Sequence, residues 1–126
     1  MIEGIPKIPI KYNFEILRGT DYTFQFLIRD CEENRVSLRS YNIKVQLRKG
    51  FSTNIIDEFT TKNLKIVNSS SAGDDIYDLV TIKFDHEDTA EYPLGVILYD
   101  VRIESGNHTY TKIIEGQINC LANITQ

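Results

Sequence analysis

The chain has no Trp, one Met and three Pro among its 126 residues, and Ala is scarce. Ala and Met are among the strongest helix formers, so their shortage lowers the expectation of helix. No stretch approaches the ~20 consecutive apolar residues that a membrane-spanning helix needs. The first residues, Met1-Ile2-Glu3-Gly4-Ile5-Pro6, lack the charged-then-apolar order of a secretory signal. The expectation is a soluble protein made in a cytosol. No block of Lys or Arg stands out, and 14 basic against 18 acidic side chains give a net charge of −4. Nucleic acid and acidic membrane surfaces both require concentrated positive charge, so neither is an expected partner. There are two cysteines, Cys31 and Cys120, with no C-x-x-C and no zinc-type spacing. In a cytosolic product they read as two free, partly buried thiols. The sequons at Asn68, Asn107 and Asn123 read as chance without an export signal.

What is present suits one folded domain. A hydrophobic fraction of 41% with 25% charged residues is a globular balance, and 126 residues can bury one core. Seven Tyr and six Phe favour sheet over helical bundle. The strongest local pattern begins at Pro93 and Gly95. From Tyr99 the residues alternate, with Tyr99, Val101 and Ile103 on one side and Asp100, Arg102 and Glu104 on the other. That is the period of a half-buried strand. Ser105-Gly106-Asn107 supplies a tight reversal, and His108 to Glu115 returns. Further strands are expected over Tyr12–Leu17, Asp21–Arg29, Asn42–Arg48, Ile55–Thr60, Leu64–Val67, Tyr77–Phe84 and Gln117–Ile124. In the second of these, Tyr22, Phe24, Phe26 and Ile28 share a face. Asn68 to Asp75 reads as a flexible loop by composition. Asp85 to Glu91 reads as one helical turn, with Asp85 placed to cap it and Asp88 three residues on. Eight or nine short strands with almost no helix predict an antiparallel β-sandwich or barrel.

The first eleven residues break this pattern. Ile2, Ile5, Ile8 and Ile10 are interleaved with Pro6, Lys7 and Pro9, and the prolines favour extended or polyproline geometry. Burying one isoleucine fully contributes about 1.5–3 kcal/mol. The segment is therefore expected to dock, either on the chain's own sheet or on a neighbouring subunit. The organisation is an extended Pro/Ile arm over residues 1–11 and a single β-sandwich domain over residues 12–126. The arm residues Ile2, Ile5, Pro6, Ile8, Pro9 and Ile10 are the candidate partner interface.

Catalytic chemistry finds little footing. The densest polar cluster, Asp85-His86-Glu87-Asp88, matches neither an EF-hand loop nor a zinc pattern, and a capped turn explains it. Asp74-Asp75 reads as a solvated turn. His86 and His108 are the only histidines, and no nucleophile elbow or Gly-rich phosphate loop accompanies them. The expectation is a non-enzyme with no catalytic residue, no cofactor and no metal. Most tyrosines fall on apolar strand faces, so core packing outweighs a sugar-stacking platform.

Three segments in order carry a resemblance. The first is Arg18-Gly-Thr-Asp-Tyr-Thr-Phe-Gln-Phe-Leu-Ile-Arg-Asp. The second is Val36-Ser-Leu-Arg-Ser-Tyr-Asn-Ile-Lys-Val-Gln-Leu-Arg-Lys, entered through a Leu-x-x-Tyr step. The third is Thr89-Ala-Glu-Tyr-Pro-Leu-Gly-Val-Ile-Leu-Tyr-Asp-Val-Arg-Ile-Glu with its hairpin and Ile114-Glu-Gly-Gln-Ile. Together they cover most of residues 14 to 124. The chain resembles small β-sandwich modules of tailed bacteriophages, in particular the N-terminal module of phage baseplate upper proteins. The resemblance implies an immunoglobulin-like or jelly-roll-type sandwich, no catalysis and a structural role in the virion. Baseplate upper proteins continue into a long helical and receptor-facing part, whereas this chain ends at Gln126 and carries the Pro/Ile arm. That departure leaves tail or baseplate, head or neck accessory, and capsid decoration roles open. The expected partners are other virion proteins and copies of itself. The alternative from another class is a carbohydrate-binding module; a small hydrolase or metal-dependent enzyme is the third.

Overall fold

A computed structural model describes residues 10–29, 32–39, 41–49, 54–60, 65–104 and 110–122. Among these residues nine strands and one helical turn follow in chain order: β1 Ile10–Lys11, β2 Phe14–Leu17, β3 Tyr22–Leu27, β4 Asn42–Lys49, β5 Ile55–Thr60, β6 Ile66–Ser69, β7 Leu79–Phe84, α1 His86–Thr89, β8 Gly95–Glu104 and β9 Tyr110–Leu121. They form two sheets. One runs β1-β9-β8-β4-β5, with β2 also on β9; the other runs β3-β7-β6. In immunoglobulin lettering this is G-F-C-C′ over B-E-D, so the order is immunoglobulin-like rather than jelly-roll. The sandwich expected from the strand spacing is present.

The alternation seen in the sequence divides core from surface. Ile43, Val45 and Leu47 of β4 and Ile97, Tyr99, Val101 and Ile103 of β8 are buried. They face Phe24 of β3, Val80, Ile82 and Phe84 of β7, and Ile66 of β6 within one core. Asp100 and Arg102 lie on the outer face of the large sheet.

The pairing of β1 and β2 with β9 is parallel, unlike the antiparallel ladders elsewhere. Both keep one register on β9, Ile10 opposite Ile114 and Phe14 opposite Ile118, so they are one edge strand with an interruption at residues 12 and 13. The sequence places one strand at His108–Glu115 and another at Gln117–Ile124. Within the described residues these are a single strand of 12 residues, Tyr110–Leu121. Gly116 reads as a break because glycine weakens strands. Its reason is space: a Cβ there would sit 1.9 Å from the carbonyl oxygen of Tyr12. That carbonyl is drawn inward by the Tyr99 hydroxyl, which donates to it at 2.6 Å. The interruption is closed by Tyr12 N–H donating to Glu115 O at 3.0 Å and Gln117 N–H donating to Asn13 Oδ1 at 2.9 Å.

Two of the three resembling segments lock together. Gly19, at φ +80°, turns β2 into β3. Its N–H donates to Thr89 Oγ1, and that hydroxyl donates to Thr20 O at 2.8 Å. Arg18 Nε donates to Ala90 O at 3.0 Å. In the middle segment Leu38 is fully buried; its N–H donates to Tyr77 O and its carbonyl accepts from Tyr41 N–H. The helical turn is where expected, but its cap is not. Asp85 makes no side-chain cap bond. Asp21 supplies one from 65 residues away, accepting His86 N–H at 2.6 Å. The Ser105-Gly106-Asn107 reversal, His108, Cys31, Leu64 and the sequons at Asn107 and Asn123 lie outside the described residues.

Candidate functional site

β3 is the edge of the small sheet, because among the described strands it pairs with β7 alone. β1 and β2 are the edge of the large sheet on the same side of the sandwich. Between the two edges lies a cleft of about 480 Å³. One wall is every residue from Tyr22 to Arg29; the other includes Ile10, Tyr12, Ile113 and Ile114. A wall made of consecutive residues is a strand's backbone edge, since side chains alone would contribute alternate residues.

The ladder fixes which groups of β3 point into the open. Ile28 N–H donates to Asp78 O at 2.9 Å. In an antiparallel pair, residues alternate between bonding the partner and facing away. With Phe26 opposite Val80, Phe24 opposite Ile82 and Tyr22 opposite Phe84, these even-numbered residues bond β7. The N–H and C=O groups of Thr23, Gln25 and Leu27 point along the free edge.

The cleft is aromatic at its inner end. Phe14 stacks on Tyr22 with centroids 5.0 Å apart, and Tyr12 stacks on Phe24 at 5.3 Å with rings 7° from parallel. Tyr22 and Phe26 are half-buried and Phe24 is buried. Burial pushes the Tyr22 hydroxyl pKa up, with the neighbouring Tyr12 adding to it. Ile10, the last residue of the predicted arm interface, lies on the opposite wall and is 58% exposed. Ile2, Ile5, Pro6, Ile8 and Pro9 lie outside the described residues. An exposed strand edge beside stacked rings and isoleucines can take up an extended apolar segment, with backbone hydrogen bonds on one side and side-chain burial on the other.

The remaining polar clusters are accounted for structurally. Asp78 is fully buried and saturated. Arg29 Nη1 donates to it at 2.7 Å, Arg35 Nε at 2.9 Å, and the Ser71 hydroxyl and N–H at 2.8 and 3.0 Å. Arg35 also holds Asp74 at 2.6 Å. Hydrogen bonding to Arg35 keeps both carboxyls well below the usual carboxylate range. The stretch expected as a flexible, solvated loop is thereby tied to the Arg29–Arg35 turn. Asp100, 5% exposed on the outer face, sits among Arg102 at 3.2 Å and Arg48 and Lys112, each at 3.7 Å. Lys65 pairs with Asp88. Tyr92, in the core, donates its hydroxyl to Asp57 at 2.7 Å, and burial raises its pKa far above the ordinary tyrosine value. His86 is exposed and pairs through Nδ1 with Asp21 at 3.0 Å; that bond raises the imidazole pKa, while the His86 N–H lowers that of Asp21. Cys120 is a buried free thiol. Asn68 Nδ2 donates to Leu38 O at 2.6 Å, so this sequon asparagine is committed to the fold. Among the described residues no three or more His, Cys, Asp or Glu converge as metal ligands, and no helix is long and apolar enough to cross a membrane.

Of the tyrosines expected in the core, Tyr92 and Tyr99 are there. Tyr12 and Tyr110 are exposed at separate places, Tyr12 in the cleft and Tyr110 on the outer face beneath Lys44. What the sequence did not reveal is the open edge. Thr23, Gln25 and Leu27 read as the solvent face of a half-buried strand, and periodicity carries no signal for which strand ends a sheet.

No protein-family profile matches the chain, and no curated protein matches it. Among solved structures it is similar to extracellular domains 3–5 of Drosophila OTK, at 8% identity and a TM-score of 0.38. That match covers 98% of this chain and 36% of the other, so the chain spans about a third of that structure's length.

Proposed function

We propose that the chain is a non-enzymatic structural module of a tailed-bacteriophage virion that binds neighbouring protein subunits. The observation that carries the assembly role is the open side of the sandwich, where the β3 edge and the Ile10–Tyr12 wall enclose an apolar cleft. The phage setting rests on the three resembling segments, two of which interlock through Gly19 and Thr89. The partners are other virion proteins and copies of the chain, and the location is the particle, at the tail or baseplate, the head or neck, or the capsid surface. The rest of the described surface fits a passive spacer. Its buried acids are engaged within the fold, Asp78 by Arg29, Arg35 and Ser71 and Asp100 by Arg102, Arg48 and Lys112.

The test is to probe purified particles from the host that carries the gene with an antibody against the chain. A fixed copy number per particle is expected. Recovery solely in the particle-free fraction contradicts the proposal. Tyr12 and Tyr22 on the walls of one cleft support a second reading, a carbohydrate-binding module. Glycan-array binding by the full chain, abolished by Tyr12→Ala, would favour it over assembly.

A further inference from the structure

Resting on that assembly reading, we infer that the cleft is a strand acceptor and that its occupant is the N-terminal segment of a second copy of this chain. Three observations converge on that occupant. First, Thr23, Gln25 and Leu27 offer a five-residue backbone edge whose N–H and C=O groups face away from β7. Residues 1–5, Met-Ile-Glu-Gly-Ile, are the part of the N-terminal segment without proline, and therefore the part able to donate to a ladder.

Second, Ile10 and Tyr12, both exposed, and Phe26, half-buried, line the cleft and gain burial from apolar side chains laid against them. Ile2 and Ile5 are the candidate side chains; three residues apart, they fall on opposite faces of a strand, so one of them faces the cleft.

Third, the geometry favours a neighbour over the chain's own segment. Phe14 faces Tyr22 and Tyr12 faces Phe24, so the chain, followed backwards through β2 to β1, runs towards the Arg29 end of the cleft. To lie on the edge of its own β3, the segment would have to reverse across Pro6-Lys7-Ile8-Pro9. Proline fixes φ and favours extended geometry, so a reversal at this sequence is disfavoured. Each copy then donates a segment and presents an acceptor. This is a head-to-tail contact, closing into a ring or continuing as an array.

The test is the mass of the full chain by sedimentation equilibrium across a wide concentration range, for the unmodified protein and for Gln25→Pro. Gln25 N–H points to the free edge, where proline is tolerated, so the fold survives while the acceptor is blocked. The expected result is concentration-dependent association that Gln25→Pro abolishes. A second measurement does not depend on that variant folding: a synthetic peptide of residues 1–9, added in excess, dissociates the unmodified protein to monomer. A monomer at every concentration, or association that survives the peptide, overturns the inference. If the chain is nevertheless found in particles, the assembly reading stands and the strand-acceptor inference alone has failed.

Discussion

At the scale of single residues, the fold depends on a few positions whose reasons are specific. Gly116 admits the Tyr12 carbonyl, and any Cβ there collides with main chain rather than with a yielding side chain. Gly116→Ala should therefore push the β1–β2 strand off β9 while the β8–β4 ladder persists. Hydrogen exchange would show faster exchange at Tyr12 and unchanged exchange at Val45 and Val101. Equal exchange at Tyr12 in both proteins would contradict the account. Asp78 is the second such position. Asp78→Asn leaves two arginines facing an uncharged group, and the cost should be about 3 kcal/mol, the low end for a broken buried pair, because both arginines keep contact with water. Urea denaturation measures it, and a change under about 1 kcal/mol would show that the network is dispensable.

The same carboxyl contributes to the loss of stability in acid. Its folded pKa lies below the ordinary 3.8, so on acidification the unfolded chain takes up the proton first. The contribution is present above that value and declines as pH falls below it. The exposed His86–Asp21 pair has the opposite sign at its histidine. A raised folded pKa contributes below the ordinary 6.5 and is lost as pH rises through the folded value, while Asp21 sets the lower bound of the window. Asp21→Asn keeps an oxygen to accept His86 N–H but removes the charge. By NMR titration the His86 pKa should then fall back towards 6.5; an unchanged pKa would mean that Asp21 is not its partner.

At the scale of elements, alternation was legible and adjacency was not. Tyr99, Val101 and Ile103 reach the core because a strand's period of two can be read from any one segment. The continuity of β9 was hidden, since Gly116 looks like a terminator until Tyr12, 104 residues earlier, is seen to occupy its side-chain space. Asp85 was the local candidate for capping α1, yet Asp21 does it, because Gly19 and Thr89 bring the β2–β3 turn against the helix. The edge of the small sheet could not be read from periodicity, as Thr23, Gln25 and Leu27 look like any solvent face until β3 is placed at the end of its sheet among the described strands.

At the scale of the molecule, an immunoglobulin-like sandwich closes its core on both faces and leaves its functional options at the edges and ends. Exposed edges recruit strands unless something covers them. Here the edge opens into an apolar cleft at the point where the N-terminal segment enters the described structure. This side of the sandwich is the proposed assembly surface. The most direct measurement is residue-resolved hydrogen exchange at the Thr23, Gln25 and Leu27 amides in the dilute and the associated protein. These three should exchange quickly when dilute and become protected on association, while Phe24 and Phe26, already bonded to β7, stay protected throughout. Unchanged, fast exchange at all three in the associated protein would contradict it.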